Sequence, residues 1–374
     1  MLNRRLIRIR AMQTLYAFDK AKGANYLLAQ DLIAEAFAPD LNSMEKQDKP
    51  KLLGFQKLAQ NIFQEEIFNS EGTPDEAGVP SEVKVVLQKA RELLKNKNKK
   101  DFENNSLQCL INAEKVYDQY LYLLTCLIEI ASKFSDNQNF SKNKLIKALA
   151  ASKELEHQAL KRGINWDNER TFINKLHNEA FKKNIHIDAY LDKVNHTSEE
   201  DVVIIKYIIK NILLKHEVSE EFFEKMNIFW EEDKEILRTM LFHTIKDFPE
   251  TGNVEIEILD DVWEESKEFL KVLFCETVKE DKQLMTYLVP ILKNWEMDRI
   301  IETDRILLKM ATTELINFPS IPIKVTINEV IEISKNFSSL KSGQFINGIL
   351  DSLIQDLTKK GIIKKSGRGM LDNK

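Results

Sequence analysis

The side chains that could support catalysis or hold a metal are scattered along this sequence. Four of the six histidines fall in one segment, at His157, His177, His186 and His196. No two of them share a helical face at i and i+4, the spacing that places two ligands on one metal. This pattern favours surface or hydrogen-bonded histidines over a metal site. The sequence also has no Gly-rich phosphate loop, G-x-S-x-G or H-E-x-x-H motif. We therefore expect a protein that is not an enzyme and uses neither metal nor cofactor.

Cysteine usage and the start of the chain bear on the compartment. The three cysteines, Cys109, Cys126 and Cys275, lie far apart and form no C-x-x-C pair. They are typical of buried, reduced thiols in a cytoplasmic protein. The first ten residues are basic but lack the apolar core of an export signal, and they lack the serine enrichment of the alternative, a transit peptide. The longest apolar runs are too short to cross a membrane, so we expect no membrane contact.

The composition predicts an all-α fold. Hydrophobic residues make up 43% of the chain, which excludes a disordered protein. Its 374 residues include only 11 glycines and 8 prolines, fewer than the turns of a β-rich fold require. Because the formal net charge is −5, any nucleic-acid site must be a local cationic patch.

A cluster of arginines near the N-terminus is a candidate for such a patch. If this segment is helical, Arg4, Arg5 and Arg8 span only about 100° of one helix face. A cationic stripe of this size could neutralise several phosphates of a nucleic acid. For an isolated stripe, the alternative is a solvated helix face with acidic partners elsewhere.

Breaker residues divide the chain into predicted helices. We expect a first helix over residues 3–19, ended by Gly23, and a second over residues 24–38. Glycines and prolines cluster in residues 70–80, which predicts a loop. The polar run of residues 96–100 is also predicted to be a solvated loop.

The C-terminal part of the chain has the clearest local signals. Thr326 and Glu329 have the spacing of a capping box at the start of a helix. The last helix should bury the apolar stripe of residues 345–357. Asn347 and Gly348 are unfavourable inside a helix, so their presence implies close packing or ligand contact at that point.

Two segments of the chain resemble each other. Residues 201–250 and 265–320 both show the pattern of a helix, a turn and two further helices, and Trp230–Glu231 matches Trp295–Glu296. The matched positions are mostly apolar, which any two packed helical pairs share. A true duplication and a chance likeness therefore both remain open.

Two blocks at opposite ends of the chain resemble the NusB family. The first, residues 4–16, opens with the arginine cluster and continues into an Ala-x-Gln-x-Leu-Tyr pattern. The second, residues 304–351, contains Ile-Asn-Glu at 327–329 and closes with Phe-Ile-Asn-Gly-Ile-Leu-Asp at 345–351. This combination and its spacing are the signature of the family. The resemblance covers about a third of the chain.

The resemblance implies a NusB-like pair of three-helix bundles with an inserted helical domain. We therefore predict a core formed by residues 1–24 and 261–358, interrupted by a helical insertion over residues 25–260. If the likeness of residues 201–250 to residues 265–320 is a duplication, the segment 201–250 is a degenerate repeat within the insertion. Residues 359–374 are predicted to be a basic, disordered tail.

The resemblance also implies a function in transcription. NusB proteins bind single-stranded boxA-type RNA in ribosomal RNA transcripts together with the ribosomal protein NusE, and the pair joins the antitermination complex of RNA polymerase. By this resemblance, the predicted RNA-binding residues are Arg4, Arg5, Arg8, Gln13, Lys341, Gln344 and Phe345. The predicted partner-binding residues are Tyr16, Glu302 and Asp304.

The loop before the last helix fits this implied role. Lys341 and Gln344 stand beside Phe345 at a helix start, where backbone amides and an aromatic ring suit a phosphate and a stacked base. By periodicity, Phe345 is also a candidate for the core. A second function therefore remains open, a protein-interaction scaffold whose NusB core has lost RNA binding.

Overall fold

A computed structural model describes residues 4–42, 44, 46–68, 78–134, 139–259, 261–292 and 300–370 of the chain. Within these residues the secondary structure is helical and no strand occurs, so the all-α prediction is confirmed. The α-helices are α1 (Arg4–Ala36), α2 (Lys49–Phe68), α3 (Ser81–Ala131), α4 (Lys144–Ala150), α5 (Lys153–Arg162), α6 (Arg170–Leu176), α7 (Ile185–Leu191), α8 (Ser198–Ile208), α9 (Glu217–Met226), α10 (Trp230–Ile245), α11 (Phe248–Thr251), α12 (Asp261–Lys279), α13 (Asp281–Leu288), α14 (Glu302–Asn317), α15 (Ile323–Phe337) and α16 (Ser342–Lys359).

The first and third helices are longer than we predicted. α1 runs through Gly23 for 33 residues, because one glycine costs a helix interior only about 1 kcal/mol relative to alanine. Two residues later, Asn25 is buried and donates hydrogen bonds to Asn98 (3.0 Å) and Asp101 (2.6 Å) of α3. α3 is continuous over 51 residues, so the predicted loop at residues 96–100 is wrong. Asn and Lys without Gly or Pro do not break a helix that tertiary contacts support.

The chain divides into two compact units. Unit 1 contains Met1–Arg8 and Leu110–Phe269, and unit 2 contains Ile9–Cys109 and Leu270–Lys374. The boundary that we predicted between residues 24 and 25 lies inside α1. Most of the predicted loop at residues 70–80, and the Trp295–Glu296 half of the internal match, lie outside the described residues.

Unit 1 has a core rich in aromatic side chains. Phe140 packs edge-on against Phe181 and Tyr190, with ring centroids 6.2 Å apart in both pairs. The Tyr190 hydroxyl donates a hydrogen bond to the buried Asp201 (2.5 Å) and accepts one from Asn143 (3.0 Å). Because Asn143 also caps the start of α4, this network holds α4, α7 and α8 together.

Unit 2 contains two helical clusters. The helices α14, α15 and α16 pack against one another as a three-helix bundle. A separate apolar core joins the second half of α1, α2 and the first half of α3. Its buried members are Ala29, Ile33, Phe37, Ala59, Ile62, Phe63, Val83, Leu87 and Ala90.

The capping box predicted for Thr326 and Glu329 is wrong. α15 begins earlier, at Ile323, and Pro322 occupies its N-cap. Thr326 is instead fully buried and donates a hydrogen bond of 2.8 Å to Glu314, which is also fully buried. The local spacing could not distinguish a cap from a buried contact, since Glu314 belongs to a different helix.

The segment after α16 also departs from the prediction of a disordered tail. Ile363 and Gly369 are buried, and the amide of Ser366 donates a hydrogen bond of 3.0 Å to the carbonyl of Pro319. A Cβ at Gly369 would lie 2.1 Å from that same carbonyl oxygen, so only glycine fits this approach. The basic composition of the segment therefore did not decide its structure. Residues 371–374 lie outside the described residues.

Candidate nucleic-acid interface

The arginine cluster at the start of α1 does not form a single solvent-facing stripe. Arg4 is exposed and Arg5 is half-buried, whereas Arg8 is only 1% exposed. The guanidinium of Arg8 lies 5.1 Å from the ring centroid of Phe269 and donates a hydrogen bond of 3.1 Å to the carbonyl of Arg4. A cation stacked on a buried ring is stabilised by that ring and cannot reach a phosphate without leaving it. This corrects the sequence argument, which assumed that all three guanidinium groups face solvent.

Gln13 and Arg10 form a local pair on the next turn of α1. Arg10 is 1% exposed and donates a hydrogen bond of 2.9 Å to the amide oxygen of Gln13. Gln13 itself is half-buried. Its amide oxygen is therefore engaged within the chain, and its amide nitrogen is the group suited to a base edge.

The predicted partner-binding residues Tyr16 and Glu302 are brought together by Lys20. Tyr16 is 39% exposed, the Lys20 ammonium lies 5.1 Å from its ring centroid, and the same ammonium pairs with Glu302. The hydrogen bond to Glu302 raises the pKa of Lys20. Beside them, Arg305 pairs with Asp19 at 3.2 Å. The result is a mixed-charge surface around one exposed aromatic ring, the kind of anchor that protein interfaces favour.

Asp304 is not part of that surface. It is 3% exposed, and its carboxylate accepts hydrogen bonds from the hydroxyls of Ser338 (2.6 Å) and Ser342 (2.7 Å). Asp304 also lies in the first turn of α14, where the helix dipole favours a negative charge. Its role in this structure is to hold the loop between α15 and α16 against the start of α14. We therefore confine the predicted partner surface to Tyr16 and Glu302.

The loop that Asp304 holds presents the predicted RNA-binding residues of α16. Lys341 occupies the N-cap of α16 and makes no side-chain capping hydrogen bond there. Lys341 and Gln344 are exposed, and Phe345 is half-buried. An exposed ammonium at a helix N-terminus is favourable for an anion, because the helix dipole and the side chain act in the same direction.

Gly348 is exposed on α16, one helical turn after Gln344. A Cβ built on it would meet no atom within 4 Å. Close packing, one of the two alternatives that we predicted for Asn347 and Gly348, is therefore absent at Gly348 among the described residues. Asn347 instead donates a hydrogen bond of 3.3 Å to Asp351 on the exposed face. The other alternative, ligand contact, stays a prediction.

The residues considered for metal or thiol chemistry have structural surroundings. All three cysteines are buried and form no disulfide, and burial raises the pKa of Cys109 to about 11. No group of three or more His, Cys, Asp or Glu side chains in the described part of the chain is arranged to hold a metal ion. No described helix combines the length and apolar composition needed to cross a membrane.

Part of the chain, including α14, α15 and most of α16, is similar to a known family. The model of the NusB family matches residues 235–355. The protein called "Transcription antitermination protein NusB" in Salinibacter ruber is 49% identical over 78 residues, which are 21% of this chain and 49% of that protein. The protein of the same name in Chloroherpeton thalassium is 41% identical over 87 residues, 23% of this chain and 41% of that protein. The one in Exiguobacterium sp. is 44% identical over 69 residues, 18% of this chain and 54% of that protein. No solved structure matches the chain.

The chain therefore contains a NusB-family domain. It spans about half the length of the curated relatives that it matches. The matched range encloses Glu302, Lys341, Gln344 and Phe345, and it begins at residue 235, inside the segment that we predicted to be an insertion.

Two buried features of this domain were missed by the sequence analysis. The first is the hydrogen bond between Thr326 and Glu314, for which the sequence carries no local signal. The second is the position of Asp304 over Ser338 and Ser342. Several serines just before a predicted helix are typical of capping interactions, and that signal could have revealed the loop's fixed geometry.

Proposed function

We propose that this chain is a non-catalytic, RNA-binding factor of transcription antitermination. It would bind boxA-type single-stranded RNA of ribosomal RNA transcripts together with NusE, and would act in the antitermination complex of RNA polymerase in the cytoplasm. The observation that carries the proposal is the family match over residues 235–355. That range contains the exposed Lys341 and Gln344 at the start of α16, and the relatives that match the chain are named as antitermination proteins.

The proposed RNA contacts lie on two separate segments, one in each unit. Arg4 and Arg5 would contact phosphates from the start of α1, and Arg8 would support that turn from the interior. Lys341 and Gln344 would contact the strand from the start of α16, where an anion is favoured. Gln13 and Phe345 are half-buried and would be secondary contacts to bases.

The proposed protein surface keeps the predicted residues Tyr16 and Glu302 and adds Lys20, which contacts both. A net charge of −5 favours the approach of a basic ribosomal protein, and an exposed aromatic ring supplies the contact area that charge alone lacks. We expect the two ligands together to bind more tightly than either alone, because each adds contacts to the same complex.

Calorimetry of the purified chain with purified NusE, with and without a boxA-type RNA, tests this proposal. We expect micromolar or tighter association with NusE and higher affinity for RNA when NusE is present. Lys341→Glu should weaken RNA binding and lower the slope of log K against log salt by about 0.7, the value for one phosphate contact on a single strand. Lys359→Glu, the same charge change at the exposed far end of α16, is the matched control. Equal effects of the two variants would remove Lys341 from the RNA surface.

One observation favours the second candidate, a scaffold that has lost RNA binding. Arg8 and Arg10 are buried and contact other side chains of the protein, so part of the cationic cluster stabilises the fold and does not face an RNA. The same titration separates the candidates. Association with NusE but no RNA binding, at low salt and with NusE present, would establish the scaffold.

A further inference from the structure

A cavity of about 350 Å³ lies in unit 1, between α7 and α8. Its volume is within the range of protein sites for small ligands. It lies within residues 186–207, well before the family match begins at residue 235. Its principal lining side chains are His186, Tyr190, His196, Glu200, Val203 and Tyr207.

The walls of this cavity are aromatic rings arranged in two pairs. Tyr190 and His196 stack face to face, with ring centroids 3.8 Å apart and planes 16° apart. His186 lies 4.3 Å from the ring of Tyr207. The hydroxyl of Tyr190 donates a hydrogen bond to Asp201, which fixes that ring of the first pair. Flat aromatic walls favour a flat aromatic ligand.

His196 is the polar group that the fold leaves unsatisfied in this cavity. Its side chain is only 8% exposed, and neither ring nitrogen has a hydrogen-bond partner among the described residues. The nearest carboxylate oxygen, on Glu200, is 3.9 Å from Nδ1, beyond hydrogen-bonding distance. This corrects our expectation that the histidines are exposed or hydrogen-bonded. A neutral imidazole has one donor and one acceptor, and leaving both unpaired in the interior is costly.

We infer that this cavity binds the base of a nucleotide, either as a free mononucleotide or within an RNA strand. A base has a flat face for the aromatic walls and an edge with donors and acceptors for His196. A quaternary ammonium ligand, the other common occupant of aromatic cages, offers neither donor nor acceptor. A site for such a cation would also need a negative charge of its own. The carboxylate of Glu200 already pairs with Lys193 and accepts the amide of Thr197 at 3.0 Å.

For a base within RNA, the inference rests on the proposed function, because it adds a second RNA contact outside the matched family domain. For a free mononucleotide it stands independently of that function. Lys193 also lines the cavity but pairs with Glu200, so recognition of the base rests on the aromatic walls and on His196 in both cases.

Binding of two probes to the full chain tests the inference: the four ribonucleoside monophosphates by calorimetry, and a fluorescently labelled single-stranded RNA by polarisation. His196→Phe keeps the ring stacked on Tyr190 but removes both ring nitrogens. His186→Ala removes an exposed wall, so folding should be unaffected if the first variant proves unstable. His157→Phe, an exposed histidine on α5 outside the cavity, is the control. We expect each cavity variant to weaken binding of the recognised probe about tenfold, and the control to leave it unchanged.

The outcomes distinguish the source of the base and separate this inference from the proposed function. Loss of mononucleotide binding in the cavity variants identifies a free nucleotide as ligand, and holds even if the chain binds no RNA. Loss of RNA affinity alone identifies a base within a strand. If no mononucleotide binds and RNA affinity is unchanged in both variants, the inference is overturned and the proposed function stands. If neither probe binds the unmodified chain, the inference is overturned as well.

Discussion

At the scale of single residues, burial separates arginines that look equivalent in the sequence. Arg4 and Arg8 occupy one face of α1, yet Arg4 is exposed and Arg8 is stacked on Phe269. The first is available for a phosphate, and the second is part of the core. Charge alone therefore does not identify the RNA surface, and substitutions can distinguish the two roles.

We expect Arg8→Ala to affect mainly stability and Arg4→Ala to affect mainly RNA binding. Arg8→Ala should lower the free energy of unfolding by about 2 kcal/mol or more, since it removes a buried cation–π contact and a hydrogen bond. Arg4→Ala should change stability by less than about 0.5 kcal/mol but weaken RNA binding. Urea denaturation and RNA titration measure the two effects. A stable Arg8→Ala protein that has lost RNA affinity would return Arg8 to the RNA surface.

Gly348 is a second position where one atom decides between structure and binding. Gly348→Ala should raise the free energy of unfolding by about 0.5–1 kcal/mol, because alanine favours a helix interior and its Cβ meets no atom. If Gly348 is kept for ligand contact, the same change should weaken binding of RNA or NusE. Gly54→Ala, at an equally open position inside α2, is the control and should stabilise without affecting binding. Unchanged binding by Gly348→Ala would remove this position from the interface.

At the scale of helices, a few buried polar groups hold the elements in register. Asp304 connects the start of α14 to the loop before α16, and Thr326 connects α15 to α14 through Glu314. The hydrogen bonds of Asp304 position the loop that carries Lys341. The placement of Lys341 therefore depends on a buried group outside the predicted RNA-binding residues.

Two acidic residues in the first turn of α14 test that dependence. Asp304→Ala should lower the free energy of unfolding by about 2–3 kcal/mol, because it leaves the hydroxyl of Ser342 without its charged acceptor in the interior. Glu302→Ala breaks only a surface ion pair with Lys20 and should cost less than about 1 kcal/mol. Thermal and urea unfolding measure both changes. Similar costs for the two variants would contradict the positioning role of Asp304.

A charged cluster in unit 1 predicts a dependence of stability on pH. Arg162 of α5 pairs with Glu114 (3.0 Å) and Asp118 (2.5 Å) of α3. Burial opposes ionisation of Glu114, but the hydrogen bonds from Arg162 and Trp263 outweigh it and lower the pKa of Glu114 below its usual 4.5. A lowered carboxyl pKa contributes stability that is present above pH 4.5 and is lost as the pH falls through the folded value.

Urea unfolding between neutral pH and pH 3 tests this cluster. The unmodified chain should lose stability on acidification more steeply than Arg162→Met, because the variant lacks the main group that lowers the pKa of Glu114. Arg170→Met, which removes an exposed arginine from the same unit, is the control. Parallel pH profiles for the unmodified chain and Arg162→Met would show that the cluster does not contribute.

At the scale of the whole molecule, one segment of unit 2 has its own apolar core. The two ends of this segment lie next to each other. The second half of α1, α2 and the first half of α3 share an apolar core confined to residues 26–94. Asn25 and Asn98, at the two ends of this segment, are joined by a hydrogen bond of 3.0 Å. The chain therefore leaves and re-enters at neighbouring points, which is the geometry of a removable insertion.

This geometry marks a shorter removable segment than the insertion that we predicted over residues 25–260. Removing residues 25–260 would delete nearly all of unit 1 and part of the family match. Replacing residues 26–97 with a short flexible linker should instead leave a protein that melts cooperatively and keeps its RNA affinity. Circular dichroism melting and RNA titration measure this. A product that is insoluble or melts without a transition would show that the rest of the chain requires this segment.

The sequence by itself determined the class of fold and the family. Few breakers and helical apolar periodicity predicted an all-α chain, and the signature at residues 327–329 and 345–351 identified the NusB family. These are local properties. Helix propensity, side-chain periodicity and motif spacing act over a few residues and need no knowledge of distant contacts.

Only the tertiary structure decided which polar side chains are available. The ring against Arg8 and the serines that bond to Asp304 come from other helices or loops. α1 likewise continues through Gly23, and Asn25, two residues later, bonds to the distant α3. The burial and pairing of these side chains are set by residues distant in the chain. Such contacts contribute a few kcal/mol, which outweighs the weaker local preferences that a sequence shows.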